Sequence, residues 1–535
     1  MRKILLSVLL LLGLYVPVRT VAQEPEIRYE YNSDRAAMWL TFADLDLNGE
    51  LDGIGRLTSK TYGIAVWIGR GKFEPVEETF GDDFRILEMN LSSVVWMDYN
   101  KDGLPDYVNP TSLGNVLINR GNFRFDAMSV SFSNRKSASD PEEEAYQPWS
   151  MAYLIDLNHD GILDGIHHES WIYLSDSSCD AIGMEFRADV IPADINKDGW
   201  VDLVGWVNSE WFGFYKDLYI NNGDGTFTSK ELFPAGGDNT DYRERFAILA
   251  VEDLNSDGWV DLIQEYNDSI LMISPGAENG TFNKKNVVFM HLPKEHLYSS
   301  LLDIRDLDNN GYPDLIYYGL DNEYHACLLN AAFEPICQYA DYTRYTMYPF
   351  ADLNGDGAPD TNVFDSDAPV PNNAPDAPAH VVTVTTSKGV TVTWEAASDQ
   401  ETPSVQLRYN LSVKRKGHAV GKDNAFLVSP MNGLKDHVPV VPDCWYNRAT
   451  CYTIPASQLT EGEEYEVQVQ AIDLWSSHSP FSEVCTFVYH AVPDDDPKAI
   501  DHVTEEATPV KLLLNGQFFI RRGEQTYTLQ GQEVN

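Results

Sequence analysis

A chain of 535 residues is too long for one hydrophobic core, so two or more domains are expected. With 43% hydrophobic and 12% aromatic residues it is no disordered polymer, and its net charge of −44 (38 basic against 82 acidic residues) argues against nucleic acid or an anionic membrane surface as partner. So large an acid excess repels itself in a compact fold unless cations neutralise part of it, which makes the placement of the acids the first question.

Residues 1–22 read as a secretory signal. Arg2 and Lys3 open it, Ile4 to Val18 is an apolar run too short for a comfortable membrane span, and Thr20-Val21-Ala22 offers small residues before a cut ahead of Gln23. No later segment is long and apolar enough to cross a bilayer, so the expectation is a secreted or cell-surface protein without a transmembrane segment. Six cysteines suit an oxidising compartment. Cys327 and Cys337 flank an apparent hairpin that they can bridge, Cys444 and Cys451 are close in sequence, and Cys179 and Cys485 have no evident partner.

Residues 23–365 carry one nine-residue pattern seven times, Asp-x-Asn/Asp-x-Asp/Asn-Gly-x-x-Asp, starting at Asp44, Asp98, Asp156, Asp194, Asp253, Asp306 and Asp352. The starts are 54, 58, 38, 59, 53 and 46 residues apart, a spacing that suits propeller blades with variable loops. A hard cation such as calcium takes six to eight oxygen ligands, and side chains at positions 1, 3, 5 and 9 converge on one centre if the backbone curls tightly. Position 6 must then turn left-handed, and it is Gly in all seven copies. The predicted metal ligands are Asp44, Asp46, Asn48 and Asp52; Asp98, Asn100, Asp102 and Asp106; Asp156, Asn158, Asp160 and Asp164; Asp194, Asn196, Asp198 and Asp202; Asp253, Asn255, Asp257 and Asp261; Asp306, Asp308, Asn310 and Asp314; and Asp352, Asn354, Asp356 and Asp360.

The flanks of the loops set the architecture. Val94-Val95-Trp96-Met97 and Ile248-Leu249-Ala250-Val251 precede loops; Asp202-Leu203-Val204 and Asp261-Leu262-Ile263 follow them. These are short and rich in β-branched residues, so each loop joins two strands, not the two helices of an EF-hand. A third strand ends in a Gly or Asn turn, as in Leu218 to Phe227, and a fainter fourth runs on. Four-stranded units repeated about an axis make a β-propeller, here of seven blades. The seventh lacks strands after Asp360, and Glu26 to Tyr31 is the segment expected to return and complete it.

On the loop motif and the Asn-Gly-x-Gly-x-Phe segment, residues 27–365 resemble the FG-GAP/VCBS repeat family, the integrin-α-like propellers. The resemblance implies Ca²⁺ in the loop between the first and second strands of each blade, up to seven sites in all, and ligands on the opposite face. Aromatic residues expected there include Trp149, Trp171, Trp206, Trp211 and Tyr242 as candidate ligand contacts, with Tyr146, His167, His168, Phe212, Tyr324 and His325 nearby. For any one of them, packing inside a blade is the competing role.

Residues 366–378 form a Pro-rich linker. Residues 379–490 show alternating strands at Val381 to Val384, Val390 to Trp394, Leu407 to Val413 and Tyr465 to Ala471, with Trp394 and Tyr465 as core aromatics and an insertion near Lys422 to Cys451. This resembles an immunoglobulin-like fibronectin type III β-sandwich. An acidic linker spans 491–508, and 509–535 holds two or three short strands with Gly turns, similar to the C-terminal sorting tail of type IX secretion. The fold expectation is therefore all-β: propeller, sandwich and short β tail. No Gly-x-Ser-x-Gly elbow, His-Glu-x-x-His helix or phosphate loop occurs, and no catalytic residue is assigned. His167 and His168 are adjacent, so on a strand their rings point to opposite faces. The functional expectation is a non-catalytic adhesion or binding module for glycan or extracellular protein ligands, exported by the type IX machinery. The alternatives are a polysaccharide lyase or hydrolase on a propeller scaffold and a purely structural surface protein.

Overall fold

The computed structural model describes residues 40–43, 45, 52–56, 64–67, 73–75, 95–108, 116–121, 124–128, 151–159, 164–167, 172–173, 190–209, 213–224, 226–232, 248–277, 280–282, 286–292, 296–319, 324–334, 336–339, 372–430, 448–474, 477–493, 510–514, 517–522, 525–528 and 533–534. The signal segment, the expected closing strand at 26–31, the seventh loop and Cys179 and Cys444 lie outside them. The described residues are all-β apart from one 3₁₀ turn, Ala456–Gln458. Among them no helix is long and apolar enough to cross a membrane.

Six antiparallel sheets follow one another along the repeat region, each built from consecutive strands. The first holds β1 (Leu40–Ala43), β2 (Asp52–Arg56), β3 (Ile64–Trp67) and β4 (Phe73–Pro75); the second β5 (Val95–Met97), β6 (Asp106–Val108), β7 (Val116–Asn119) and β8 (Phe125–Met128). The third has β9 (Met151–Ile155), β10 (Asp164–His167) and β11 (Ile172–Tyr173); the fourth β12 (Val190–Ala193), β13 (Asp202–Ser209), β14 (Gly213–Asn221) and β15 (Phe227–Glu231). The fifth joins β16 (Ile248–Glu252), β17 (Asp261–Asn267), β18 (Ile270–Ser274) and β21 (Val288–His291), with a small hairpin of β19 (Gly276–Ala277) and β20 (Thr281–Phe282) beside it. The sixth holds β22 (His296–Arg305), β23 (Asp314–Gly319), β24 (Tyr324–Leu328) and β25 (Ile336–Tyr339).

Every described copy of the loop joins the first strand of a sheet to the second. The residue before position 1 pairs with position 9, as Met97↔Asp106, Ala193↔Asp202, Glu252↔Asp261 and Arg305↔Asp314. First strands of successive sheets touch, β12 with β16 and β16 with β22. The apolar groups are shared between neighbours: Ile155 and Leu157 pack with Leu203 and Tyr219, Val204 and Leu218 with Val251 and Leu262, Ile263 and Ile273 with Leu315 and Tyr317. Cys327 is disulfide-bonded and Cys337 is its register partner across β24 and β25, in line with the hairpin reading.

The second region pairs a three-stranded sheet, β26 (Ala379–Thr386), β27 (Gly389–Glu395) and β30 (Cys451–Pro455), with a four-stranded one ordered β29 (Phe426–Val428), β28 (Arg408–Arg415), β31 (Glu464–Ile472), β32 (Cys485–Val488). The sheets share one core that includes Val392, Trp394, Tyr409, Val467 and Tyr465. The Tyr465 hydroxyl accepts from the Thr460 amide (2.9 Å) and donates to Glu463 (3.1 Å), which gives a fully buried ring a satisfied polar end. Cys451 and Cys485 are free thiols, so the Cys444–Cys451 pairing suggested by sequence proximity is not made. The tail forms four strands, not two or three: β33 (Val510–Leu514), β34 (Gln517–Arg522), β35 (Gln525–Thr528) and β36 (Glu533–Val534) pair in sequence order. The extra strand is the short Glu533–Val534 segment, which pairs with Tyr527 and Thr526.

Candidate metal loops

Loops two, four, five and six are described at all four predicted ligand positions, and they share one hydrogen-bond plan. The position-1 carboxylate (Asp98, Asp194, Asp253 or Asp306) accepts the amides of positions 5 and 6 at 2.6–3.2 Å. The position-5 side chain accepts the amide of position 7 at 2.8–2.9 Å, whether it is Asp102, Asp198 or Asp257 or the amide side chain of Asn310. The position-9 carboxylate (Asp106, Asp202, Asp261 or Asp314) is fully buried and takes two amides at 2.6–3.1 Å, one from position 2 of its own loop and one from the third strand or just beyond it.

Two backbone positions make this curl. Gly103, Gly199, Gly258 and Gly311 at position 6 have φ of 86° to 91°, as the motif requires. Position 4 is also left-handed, at Lys101, His159, Lys197, Ser256 and Asn309, with φ of 53° to 61°. That second turn has no sequence signature, because five different environments choose four residue types there. A third element missed from sequence is the asparagine closing the third strand. Asn119 and Asn221 are buried; the Asn221 amide donates to Asp202, its Nδ2 to the carbonyls of Val201 and of Leu157 in the preceding loop, and its Oδ1 accepts from Gly223. Asn119 repeats the scheme with Asp106, Pro105, Leu45 and Gly121. The available signal was an asparagine two residues before the turn glycine, Asn119 before Gly121 and Asn221 before Gly223: it pins one loop to the next.

The electrostatics are those of a site short of positive charge. Burial, with like-charged neighbours adding to it, pushes Asp106, Asp261 and Asp314 up to about 8 and Asp98, Asp194, Asp202 and Asp253 to about 7; Asp306 rises to about 6. Three carboxylates in one turn, each with lone pairs left after its amide bonds, and a side-chain amide oxygen form an all-oxygen donor set of the kind a hard divalent cation takes. In loop six, Asp306, Asp308 and Asp314 each offer an oxygen within 4.8 Å of the others. These residues fit calcium by donor type and charge.

The remaining predicted residues are placed unevenly. Asp52 lies on β2 and Asp164 on β10; Asp156 and Asn158 are described; Asp44, Asp46, Asn48, Asp160, Asp352, Asn354, Asp356 and Asp360 lie outside the described residues. Of the candidate ligand contacts, Trp206 lies on β13 opposite Lys216, while Trp149, Trp171, Trp211 and Tyr242 lie outside, as do Tyr146, His168 and Phe212. His325 is buried against the Tyr317 ring, 5.3 Å between centroids, which is the packing role. The backbone bulges between Ile166 and His167.

A family profile described as FG-GAP-like repeat matches residues 194–264, which run from the start of loop four through loop five into β17. The chain thus contains an FG-GAP-like repeat. No curated protein matches the chain. Among solved structures it is similar to an Agrocybe aegerita lectin recognising non-reducing terminal N-acetylglucosamine, at 18% identity over 57% of this chain and 80% of that one, TM-score 0.39. It is also similar to the FN1–FN3 domains of chicken CNTN1 (12% identity, 52% and 73%, TM-score 0.15) and to a DUF4623 family protein from Bacteroides eggerthii (9%, 85% and 99%, TM-score 0.24). TM-scores this low define neither fold nor function.

Proposed function

We propose that the protein is an exported, calcium-stabilised propeller of seven FG-GAP-type blades that works as a non-catalytic binding or adhesion module for a glycan or an extracellular protein. The observation that carries this reading is the shared carboxylate cradle in loops two, four, five and six, each closing the first hairpin of its sheet. Three carboxylates in one turn, the position-9 one fully buried each time, repeated sheet after sheet, suit cation cages better than ordinary turns. Calcium here is a structural ion: it binds the folded loop, so its free energy adds to folding. The strand order of the second region and the Tyr465 corner favour a fibronectin type III domain, and the short strands of the tail favour a sorting signal. Binding would fall to the connections between second and third strands, away from the loops; Trp206 lies on β13 and Trp211 follows that strand in sequence.

Calcium titration calorimetry and a glycan array with a Trp211→Ala control test this. The reading expects several tight calcium sites and a bound glycan or protein lost in the variant. Absence of calcium binding overturns the structural part; release of products from a polysaccharide overturns the non-catalytic part.

A further inference from the structure

The glycines that make the loop turn also meet a neighbour. A Cβ on Gly103 would lie 2.9 Å from the Phe426 ring, on Gly199 2.8 Å from the Cys451 carbonyl oxygen, on Gly258 3.3 Å from Val405, and on Gly311 3.1 Å from Pro403. All four of these neighbours belong to the sandwich; at Gly258 the flexible Lys197 side chain of loop four comes closer still, at 2.8 Å. Position 6 is therefore glycine for two independent reasons, the backbone angle and the closeness of a second domain.

The polar contacts follow the same face. Loop two pairs its backbone with the sandwich: the amides of Gly421, Asn424 and Phe426 donate to the carbonyls of Asp102, Asn100 and Lys101 at 2.7, 2.9 and 3.1 Å. In loop three the His159 ring stacks between Trp200 of loop four (4.0 Å) and Tyr452 of the sandwich (3.9 Å), and its Nδ1 lies 2.9 Å from the Thr453 carbonyl. In loop five the fully buried Gln406 donates Nε2 to the Asp253 carbonyl (2.5 Å) and to Ser256 Oγ (2.9 Å). Arg448 and Arg408 both pair with Glu252, the residue just before that loop.

Five consecutive loops, two to six, thus touch sandwich segments 401–408, 420–429 and 448–453. The last two include the two ends of the insertion that the sequence placed near Lys422 to Cys451, so this extra length contributes contacts to the loop face. A chance contact between modules has no reason to keep step with a repeat; this one meets loop after loop at positions 3 to 6, and in loops two and five at position 1 as well.

We infer that the sandwich is a built-in cap on the metal-loop face, and that its seating is linked to calcium in those loops, each favouring the other. This rests on the calcium reading above. The cap reads the carbonyls and turns at positions 3 to 6, and a cation at the loop centre holds that same geometry; without it, the crowded carboxylates press the turn open. Linkage makes the effect reciprocal, so a seated cap must tighten calcium binding. It also leaves an outside ligand the opposite face.

The full chain carries its own probe. Cys451 is a free thiol with Sγ 3.5 Å from the Asp198 carbonyl, and Cys485, free on β32, is an internal reference. Alkylation of each is followed by peptide mass spectrometry in calcium and in chelator, with calorimetry alongside. Chelation should speed Cys451 about tenfold or more and leave Cys485 unchanged. Gln406→Ala, which touches no proposed ligand side chain, should weaken calcium binding roughly fivefold and expose Cys451 even in calcium. Equal Cys451 rates with and without calcium, or both thiols accelerating together, overturn the linkage even if calorimetry registers calcium. No calcium binding overturns the earlier reading instead, whatever the thiols do.

Discussion

In the repeat region the buried apolar residues come in small groups, each shared between two sheets, and the loops between strands are built on buried carboxylates. In the sandwich one apolar cluster runs from Val390 through Trp394 and Tyr465 to Tyr489, and the hydroxyls of Tyr409 and Tyr465 are met inside the domain by the amides of Ala397 and Thr460. The contrast teaches where each region takes its stability from. The sandwich centres its burial on one apolar core, whereas the sheets divide their burial into thin layers and add a charge cluster at the first hairpin of each sheet. One region should therefore depend on a cation and the other should not, although they touch.

Removing calcium is the largest test of that difference. Each loop that binds calcium loses about 2.7 kcal/mol on going from a hundredfold excess over Kd to none, and several loops add. Amide exchange should rise steeply on β13, β17 and β23 in chelator and stay slow on β31, which lies in the sandwich core. Equal acceleration on β31 would erase the contrast. The converse is Trp394→Ala, which removes a buried ring from the single core at about 3–5 kcal/mol. It should speed exchange on β27 and β31 while the calcium response of β17 stays in place.

How these regions were legible follows from the same contrast. Repetition made the loops readable: seven copies of an Asp-Gly spacing define strand, turn and ligand positions together, and six successive sheets with their loops between first and second strands appear where the pattern put them. Trp394 and Tyr465 announced the sandwich core because both sit in period-two apolar strands. The left-handed position 4 was hidden because Lys101, Lys197, Ser256 and Asn309 share no side-chain signal, and Asn221 because its partners are backbone carbonyls far away in sequence. The cap was hidden for a similar reason. Gln406 and Arg448 look like ordinary surface residues until the fold brings Asp253 and Glu252 to them, about 150 and 200 residues away in sequence.

A narrower cut separates charge from hydrogen bonding in one loop. Asp261→Ala strands the amides of Leu254 and Gly276 in a buried place, at about 1–3 kcal/mol for each. Asp261→Asn keeps one acceptor oxygen and loses the charge. Calorimetry should show one calcium site lost or weakened in both, with the alanine variant alone losing further stability in chelator. Identical melting of the two variants in chelator would mean that the amide bonds matter little and that the carboxylate acts only through the cation.

The smallest effect isolates the turn. Lys101 holds φ of 60°, a region that costs a residue with a Cβ about 1–2 kcal/mol and costs glycine almost nothing. Lys101→Gly should therefore stabilise the second sheet by roughly 1 kcal/mol, and Lys101→Val, branched at Cβ, should destabilise it by a similar amount. The carbonyl of residue 101 still reaches the Phe426 amide in both, so the cap contact is not the variable. If the two variants melt alike, position 4 is not held left-handed in solution. Loop two would then curl on its position-6 glycine alone, and the repeat region would rely on its carboxylates even more heavily than the comparison with the sandwich implies.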